Sequence, residues 1–204
     1  MTAVKRFFLV AVILGIFGAR ICEGVETDRP AHAFELPDTA GKIRSLSEFK
    51  GKFVVLEWVN YDCPFVGKHY RSGNMQRLQK EYTQQGVVWL SINSSAPGKQ
   101  GHFQPERVSV LIKEYGARPS AYLLDPDGAV GRLYGAKTTP HMFVVNPEGA
   151  VIYHGAIDDA PSTDVTDIAG AKNYVQSALD EAMSGKNVSV KSSPPYGCSV
   201  KYGP

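Results

Sequence analysis

The chain has 204 residues, 43% of them apolar, and its basic and acidic residues nearly balance at a formal net charge of +2. This length fits one ordinary domain with appendages and excludes two large domains. Because no block of like charge is present, the electrostatic field that nucleic-acid binding requires is missing, and no nucleic-acid partner is expected. The three cysteines are too few for a disulfide scaffold, and none are spaced as in a zinc knuckle.

The N-terminal segment has the order of features of a secretory signal peptide. Lys5 and Arg6 precede an apolar run over residues 7–17, and small residues follow up to Gly24. We expect residues 1–24 to be removed on export, which places the protein in the periplasm or outside the cell. The alternative is an uncleaved leader that anchors the protein, and only in that case is a membrane a partner.

Export changes the interpretation of the cysteines, because disulfides persist outside the cytoplasm. Cys22 is lost with the leader, whereas Cys63 and Cys198 remain as an even pair. The mature chain is expected to consist of one domain over residues 25–184 and a flexible C-terminal tail over residues 185–204. Prolines and glycines in this tail predict that it buries little, although it carries Cys198.

Strand-like and helix-like patterns alternate along the predicted domain. The first strand is the apolar run over residues 52–59, and helical spacing of apolar residues then continues from residue 65 to residue 84. The other predicted elements are a strand at 87–92, a helix at 105–115, a strand at 121–124, a short helix up to 134, a hairpin of strands at 142–145 and 151–155, and a final helix at 167–183. This alternation predicts an α/β fold with parallel strands joined by helices, plus an antiparallel hairpin.

Cys63 lies where the first of these strands ends and the first helix begins. A thiol at a helix N-terminus is close to unpaired backbone N–H groups and to the positive end of the helix dipole, which favour the thiolate and lower the thiol pKa. Pro64 supports this placement, since proline is common at the first helical position. The sequence therefore predicts a nucleophilic cysteine, and the alternative is an inert thiol in the core.

Two segments resemble the thioredoxin superfamily. Residues 54–66 have the sequence VVLEWVNYDCPFV, which is similar to its active-site strand and turn, and residues 138–145 have the sequence TTPHMFVV, which resembles its cis-proline loop and following strand. The chain most resembles the exported redoxins related to alkyl-hydroperoxide reductases and thiol-specific antioxidants, a peroxiredoxin-like branch. The resemblance covers about residues 30–184. It implies a thioredoxin-like α/β fold with a mixed central sheet of about five strands flanked by helices.

The resemblance assigns catalytic roles around Cys63, which becomes the attacking thiolate. Pro140 becomes the residue with a cis peptide bond that packs beside Cys63 and turns the preceding backbone outward to pair with a substrate chain. Glu57 becomes a buried acid with a raised pKa that relays a proton when a disulfide opens. For Glu57 the alternative is a solvated carboxylate at a strand edge.

Four further residues complete the predicted substrate site. Trp58 is expected on an apolar rim for a peptide, with a place in the core as the alternative. Asn60 is a candidate for polarising a peroxide. Thr139 and Pro64 are assigned to substrate binding because they adjoin the cis-proline and the nucleophile.

The sequence departs from the family patterns at several positions. Thioredoxins carry a second cysteine three residues after the first, where this chain has Val66, so no local disulfide can form. Peroxiredoxins carry proline and threonine where this chain has Leu56 and Asn60, and residues 138–140 contain no arginine to polarise a peroxide. Peroxide reduction is therefore the alternative and not the main prediction.

Cys198 offers the missing second thiol. A flexible tail can bring it to Cys63 of the same chain or of a partner chain at a modest entropic cost. Cys63 then attacks a substrate disulfide, or is oxidised to a sulfenic acid, and Cys198 resolves the intermediate into a Cys63–Cys198 disulfide. An external thiol reductant reopens this bond. The alternatives for Cys198 are an accidental thiol or a permanent staple of the tail.

The predicted function is an exported thiol–disulfide oxidoreductase that needs no cofactor and acts on protein thiols or disulfides. A thiol peroxidase acting on a hydroperoxide is the alternative enzyme, and a redox-inert or metal-carrying binding module is the alternative of another class. His69 and His141 would be the ligands that join Cys63 in a copper or zinc site. A helix flank and a local hydrogen bond are the favoured roles of these histidines, so no metal is predicted.

Overall fold

The computed structural model describes residues 24–204. The predicted leader, including Cys22, lies outside the described residues except for Gly24. Within the described part of the chain, no helix combines the length and the apolar character that crossing a membrane requires.

A mixed sheet of five strands forms the centre of the fold. The elements, in chain order, are β1 (Glu35–Pro37), β2 (Ile43–Ser45), a 3-10 helix (Leu46–Phe49), β3 (Val54–Trp58), α1 (Pro64–Arg71), α2 (Asn74–Gln84), β4 (Val88–Asn93), α3 (Pro105–Glu114), β5 (Ala121–Leu124), α4 (Ala129–Tyr134), β6 (Thr138–Thr139), β7 (His141–Val145), β8 (Val151–Gly155), a second 3-10 helix (Val165–Ala169), α5 (Tyr174–Met183) and β9 (Cys198–Ser199). The strand order in the central sheet is β5-β4-β3-β7-β8. β3, β4 and β5 are parallel, while β7 is antiparallel to both β3 and β8. The predicted α/β fold with a mixed sheet is thus confirmed.

β3 is the central strand, and all five of its residues are buried. Val55 packs with the core beneath α1, α2 and α5, to which Cys63 also belongs. Leu56 and Trp58 pack on the opposite face, with β1 and α4. Because both faces of the strand are covered, its sequence is a continuous apolar run and does not alternate. Two cores therefore lie on opposite faces of one sheet, and the candidate nucleophile is in the first of them.

Two helix predictions differ from the structure. The single helix expected over residues 65–84 is two helices, α1 and α2, because Gly73 adopts a left-handed conformation with φ of 76° between them. The final helix begins only at Tyr174, where the side chain of Asn173 caps its N-terminus. The other predicted strands and α3 lie within two residues of their expected bounds.

The C-terminal segment packs on the domain, so the prediction that residues 185–204 bury little is wrong. Val188 is buried in the first core and Val200 in the second. The hydroxyl of Tyr202 donates a hydrogen bond to the carbonyl oxygen of Ala136 over 2.8 Å. Single apolar residues spread among prolines and glycines give no periodic pattern, yet each valine or tyrosine fills its own site on the domain.

Candidate active site

Cys63 is the N-cap residue of α1 and follows the end of β3. Pro64 occupies the first helical position as predicted and is exposed, whereas Cys63 itself is 1% exposed. The thiol of Cys63 donates a hydrogen bond to the carbonyl oxygen of Thr139 over 3.0 Å. The peptide bond between Thr139 and Pro140 is cis, as the resemblance implied. The strand-to-helix turn and the cis-proline loop therefore meet at the sulfur.

Cys198 reaches the same place from the C-terminal segment. It lies in β9, which pairs antiparallel with β6 so that Cys198 is opposite Thr139. Its thiol lies close enough to that of Cys63 for each to shift the pKa of the other. Both cysteines are free. One chain alone thus brings the two thiols into contact.

The two thiols have opposite pKa shifts. Burial raises the pKa of Cys63, but the neighbouring Cys198 thiol and the nearby backbone N–H groups of Val66 and Cys198 favour the thiolate and outweigh burial, so that the pKa is lowered. Burial and the neighbouring Cys63 sulfur with its charge raise the pKa of Cys198 to about 11. Of the two thiols, Cys63 therefore ionises at the lower pH, and Cys198 keeps its proton to higher pH.

Glu57 is fully buried in the middle of β3. Its Oε1 accepts a hydrogen bond from the hydroxyl of Tyr70 over 2.8 Å. Its Oε2 accepts from three donors, which are Trp89 Nε1 at 2.8 Å, the Ser91 hydroxyl at 2.9 Å and Gln79 Nε2 at 3.2 Å. Burial raises its pKa despite these four hydrogen bonds. The expected burial and raised pKa are both present, and none of the four bonds reaches a thiol.

Trp58 does not line the site, so its predicted place on an apolar rim is wrong. The side chain is fully buried, and its ring centroid lies 5.4 Å from that of Tyr134 and 5.2 Å from that of Phe143. Its Nε1 donates to the Ser94 hydroxyl over 3.0 Å. Since successive strand residues face opposite sides of a sheet, Trp58 points into the core opposite Cys63.

Asn60, like Cys63, is only 1% exposed. Its Oδ1 accepts a hydrogen bond from the backbone N–H of Asp62 over 2.9 Å, and its Nδ2 donates to the carbonyl oxygen of Gln100 over 3.3 Å. These bonds shape the turn that leads to Cys63. Asn60 therefore has a structural role in this turn, and its contact with a peroxide stays a prediction.

The two histidines that were considered as metal ligands are buried and engaged locally. His69 Nε2 is 3.1 Å from the Tyr196 hydroxyl, and its Nδ1 is 3.1 Å from Asn74 Nδ2. His141 Nδ1 accepts a hydrogen bond from the backbone N–H of Lys137 over 3.2 Å. Burial lowers the pKa of both imidazoles to about 3. They are therefore neutral at physiological pH.

Tyr196, two residues before Cys198, is a residue of the site that sequence reasoning missed. Its ring centroid lies 5.9 Å from that of Phe65 on α1. Its hydroxyl donates to a carboxylate oxygen of Asp158 and contacts His69. A tyrosine between prolines and a glycine carries no periodic signal, so only the folded structure identifies this contact between the C-terminal segment and α1.

Comparisons with known proteins agree with this geometry. A model of the AhpC/TSA family matches residues 27–154. The thiol-disulfide oxidoreductase ResA of Bacillus subtilis is 30% identical over 130 residues, which are 64% of this chain and 67% of that protein. The crystal structure of a hypothetical protein from Sinorhizobium meliloti has a TM-score of 0.75 and 30% identity, and the match covers 89% of this chain and 97% of that one. A putative thiol:disulfide interchange protein DsbE from Chlorobium tepidum, with a TM-score of 0.51, 23% identity and coverage of 64% and 85%, has the same fold.

The opposite pKa shifts predict how the two cysteines titrate. In a protein labelled at cysteine Cβ with ¹³C, we expect the Cys63 signal to titrate below 9.0, its ordinary pKa, and the Cys198 signal near 11. Because the thiols interact, the two steps belong to the pair. Cys198→Ala removes the neighbouring thiol that favours the Cys63 thiolate, so the Cys63 step should move to higher pH. A Cys63 step that is unchanged in this variant would contradict the contact.

Proposed function

We propose that this chain, which belongs to the AhpC/TSA family and is a thioredoxin-like oxidoreductase, catalyses thiol–disulfide exchange through Cys63 and Cys198. The observation that carries the proposal is the contact, within one chain, of two free thiols whose pKa values are shifted in opposite directions. A low pKa makes a thiolate available for attack, and a neighbouring thiol can complete the exchange.

The exchange has two steps. The Cys63 thiolate attacks one sulfur of a substrate disulfide, a mixed disulfide forms, and the other substrate sulfur leaves as a thiolate that takes a proton. Cys198 then loses its proton and attacks the Cys63 sulfur, which forms the Cys63–Cys198 disulfide and releases the second substrate thiol. Two electrons have passed from the protein to the substrate. An external dithiol reductant returns them by the reverse chemistry.

A trapping experiment tests both roles. Cys63→Ser should abolish reduction of a disulfide substrate, whereas Cys198→Ala should stop after the first step and accumulate a mixed disulfide at Cys63, detected by mass spectrometry of peptides under non-reducing conditions. The same variant treated with hydrogen peroxide and a sulfenic-acid reagent tests the peroxidase alternative. A labelled sulfenic acid without any mixed disulfide would replace the proposal by the peroxidase. An unreactive Cys63 in both assays would refute both.

Glu57 is proposed to supply the proton when the Cys63–Cys198 disulfide is opened. It is the acid buried on the same face of β3 as Cys63, and its raised pKa keeps it protonated at a higher pH than an exposed carboxyl. Since none of its hydrogen bonds reaches a thiol, the proton crosses intervening groups. Tyr70 is the first of these groups, because its hydroxyl bonds to Glu57. The centroid of its ring also lies 5.4 Å from that of Tyr61, which is in the turn before Cys63.

Glu57→Gln tests this relay. We expect the rate of disulfide opening by dithiothreitol to fall about a hundredfold, the lower end of the range for general acid–base catalysis. The rate of the unmodified protein should fall as pH rises through the raised pKa of Glu57, because only the protonated acid donates, and this step should be absent in the variant. Ser91→Ala keeps the Glu57 carboxyl and removes one hydrogen bond that lowers the pKa of Glu57. The fall in rate should therefore occur at higher pH in this variant. Unchanged rates and profiles in a folded Glu57→Gln protein would reduce Glu57 to a structural group.

We also propose that the protein is exported and meets its substrates and its reductant outside the cytoplasm. The charged, apolar and small-residue order of residues 1–24 supports this, and so does the use of only two cysteines after them. The intact mass of the protein recovered from outside the cytoplasm should correspond to a chain that begins at Val25. A chain found there that still contains residues 1–24 would mean that the leader is retained as an anchor.

A further inference from the structure

The edge strand β6 is occupied by the protein's own C-terminal segment. β9 pairs antiparallel with β6, with Thr138 opposite Ser199 and Thr139 opposite Cys198. The backbone N–H of Val200 extends this pairing by donating to the carbonyl oxygen of Lys137 over 3.0 Å. An extended peptide binds to a sheet edge through backbone pairing of this kind. The segment of residues 196–200 therefore fills the edge on which an external peptide strand would add.

Gly197 is the residue that permits this close approach. Its φ is +139°, a conformation that residues with a side chain rarely adopt. A Cβ at this position would lie 2.1 Å from the carbonyl oxygen of Thr139 and 2.8 Å from its carbonyl carbon. Both obstructing atoms belong to the backbone that the Cys63 thiol contacts, so they cannot move away freely. Any side chain at position 197 must push the segment off the cis-proline loop.

Tyr196 fixes the other side of the same segment. Its ring packs on Phe65, and its hydroxyl bonds to Asp158 and His69. The ammonium of Lys68 lies 5.7 Å from the centre of the ring, within the range of a cation–π contact. Three of these partners are on α1, the helix that Cys63 caps. The residues that hold Tyr196 in place therefore lie on the same helix that begins at the nucleophile.

We propose that Tyr196 and Gly197 are positioning residues that hold the segment of residues 196–200 on β6 as an internal substrate strand, which delivers Cys198 to Cys63 and competes with external peptides for this edge. The inference rests on the proposed exchange between the two cysteines. In this arrangement an external chain with a disulfide reaches Cys63 only when the segment of residues 196–200 leaves the edge of β6. The 1% exposure of Cys63 under the docked segment agrees with this.

The test uses proteins in which Cys63 is the only thiol, carrying Cys22→Ser and Cys198→Ala. The probe is an extended peptide whose single cysteine is bonded to 5-thio-2-nitrobenzoate, which is released and becomes coloured when Cys63 attacks the peptide sulfur. With Gly197→Ala added, we expect this reaction to be at least about tenfold faster, because the segment no longer occupies the edge. Gly203→Ala is the matched control, a glycine of the C-terminal chain outside residues 196–200, since a Cβ there meets only the side chain of Ala96 at 3.4 Å, and its rate should not change.

Two further measurements separate positioning from damage to the fold. The pH profile of the reaction should move to higher pH in Gly197→Ala, because the backbone N–H of residue 198, which favours the Cys63 thiolate, moves away from the Cys63 sulfur. Tyr196→Phe keeps the ring on Phe65 and loses the hydroxyl bonds, so its rate should lie between those of Gly197→Ala and the parent, with an unchanged circular dichroism spectrum.

The outcomes separate a failure of the positioning role of Tyr196 and Gly197 from a failure of the exchange chemistry at Cys63. Equal rates and equal pH profiles for Gly197→Ala and Gly203→Ala would overturn the positioning role and leave the exchange chemistry standing. If Cys63 reacts in no variant, neither with the peptide nor with the small disulfide 5,5′-dithiobis(2-nitrobenzoate), the proposed function itself fails. Faster attack on the peptide in Gly197→Ala, together with slower closure of the Cys63–Cys198 disulfide when Cys198 is restored, is the result that the proposal expects.

Discussion

The proximity of the Cys63 and Cys198 thiols depends on a two-residue backbone pairing, that of β6 with β9. This pairing sets Cys198 opposite Thr139, whose carbonyl oxygen contacts the Cys63 thiol. Without the pairing, Cys63 would lose the Cys198 thiol and backbone N–H, two of the groups that oppose the effect of its burial on its pKa. The pKa of Cys63 therefore depends on a residue from the other end of the chain as well as on the N-terminus of α1.

A buried acid in the central strand is the second unusual feature of this arrangement. An unpaired carboxylate in a core is strongly destabilising, and here four donors from three elements surround Glu57. Trp89 and Ser91 come from β4, while Tyr70 and Gln79 come from α1 and α2. The acid thus links the helix that Cys63 caps to the parallel strand beside β3. Such a fully bonded network fixes the position of α1 relative to the sheet as well as the protonation state of Glu57.

Local sequence signals predicted much of the fold and half of the site. The strand–cysteine–proline order located Cys63 from neighbouring residues alone, whereas the buried acid at Glu57 was implied by the resemblance to thioredoxins. Trp58 was placed on the wrong side because a strand buried on both faces has no alternation from which its orientation can be deduced. The break at Gly73 was missed because apolar spacing continues across it. In each failure the missing information was the direction of a side chain or of the backbone.

The C-terminal segment was the largest miss, and its cause is physical. Residues 185–204 pack through isolated contacts such as those of Tyr196 and Val200, each of which depends on a site built elsewhere in the fold. No local pattern can encode such a surface. The crystal structure from Sinorhizobium meliloti covers 89% of this chain, a share that must extend beyond residue 154, where the family match ends. The similarity between these two proteins therefore includes part of the chain outside the family core.

A resolving thiol on a docked strand differs from one in the same helical turn as the nucleophile. In a Cys-Xaa-Xaa-Cys motif the second thiol stays near the first whatever lies on the cis-proline edge. Here Cys198 lies on the strand that fills this edge. The segment that carries the thiol and a substrate chain would therefore pair with the same backbone groups of β6. Because the segment is tethered to α5, its effective concentration at the edge is high, and an external chain must outcompete it. Closure of the disulfide is thereby coupled to departure of the substrate.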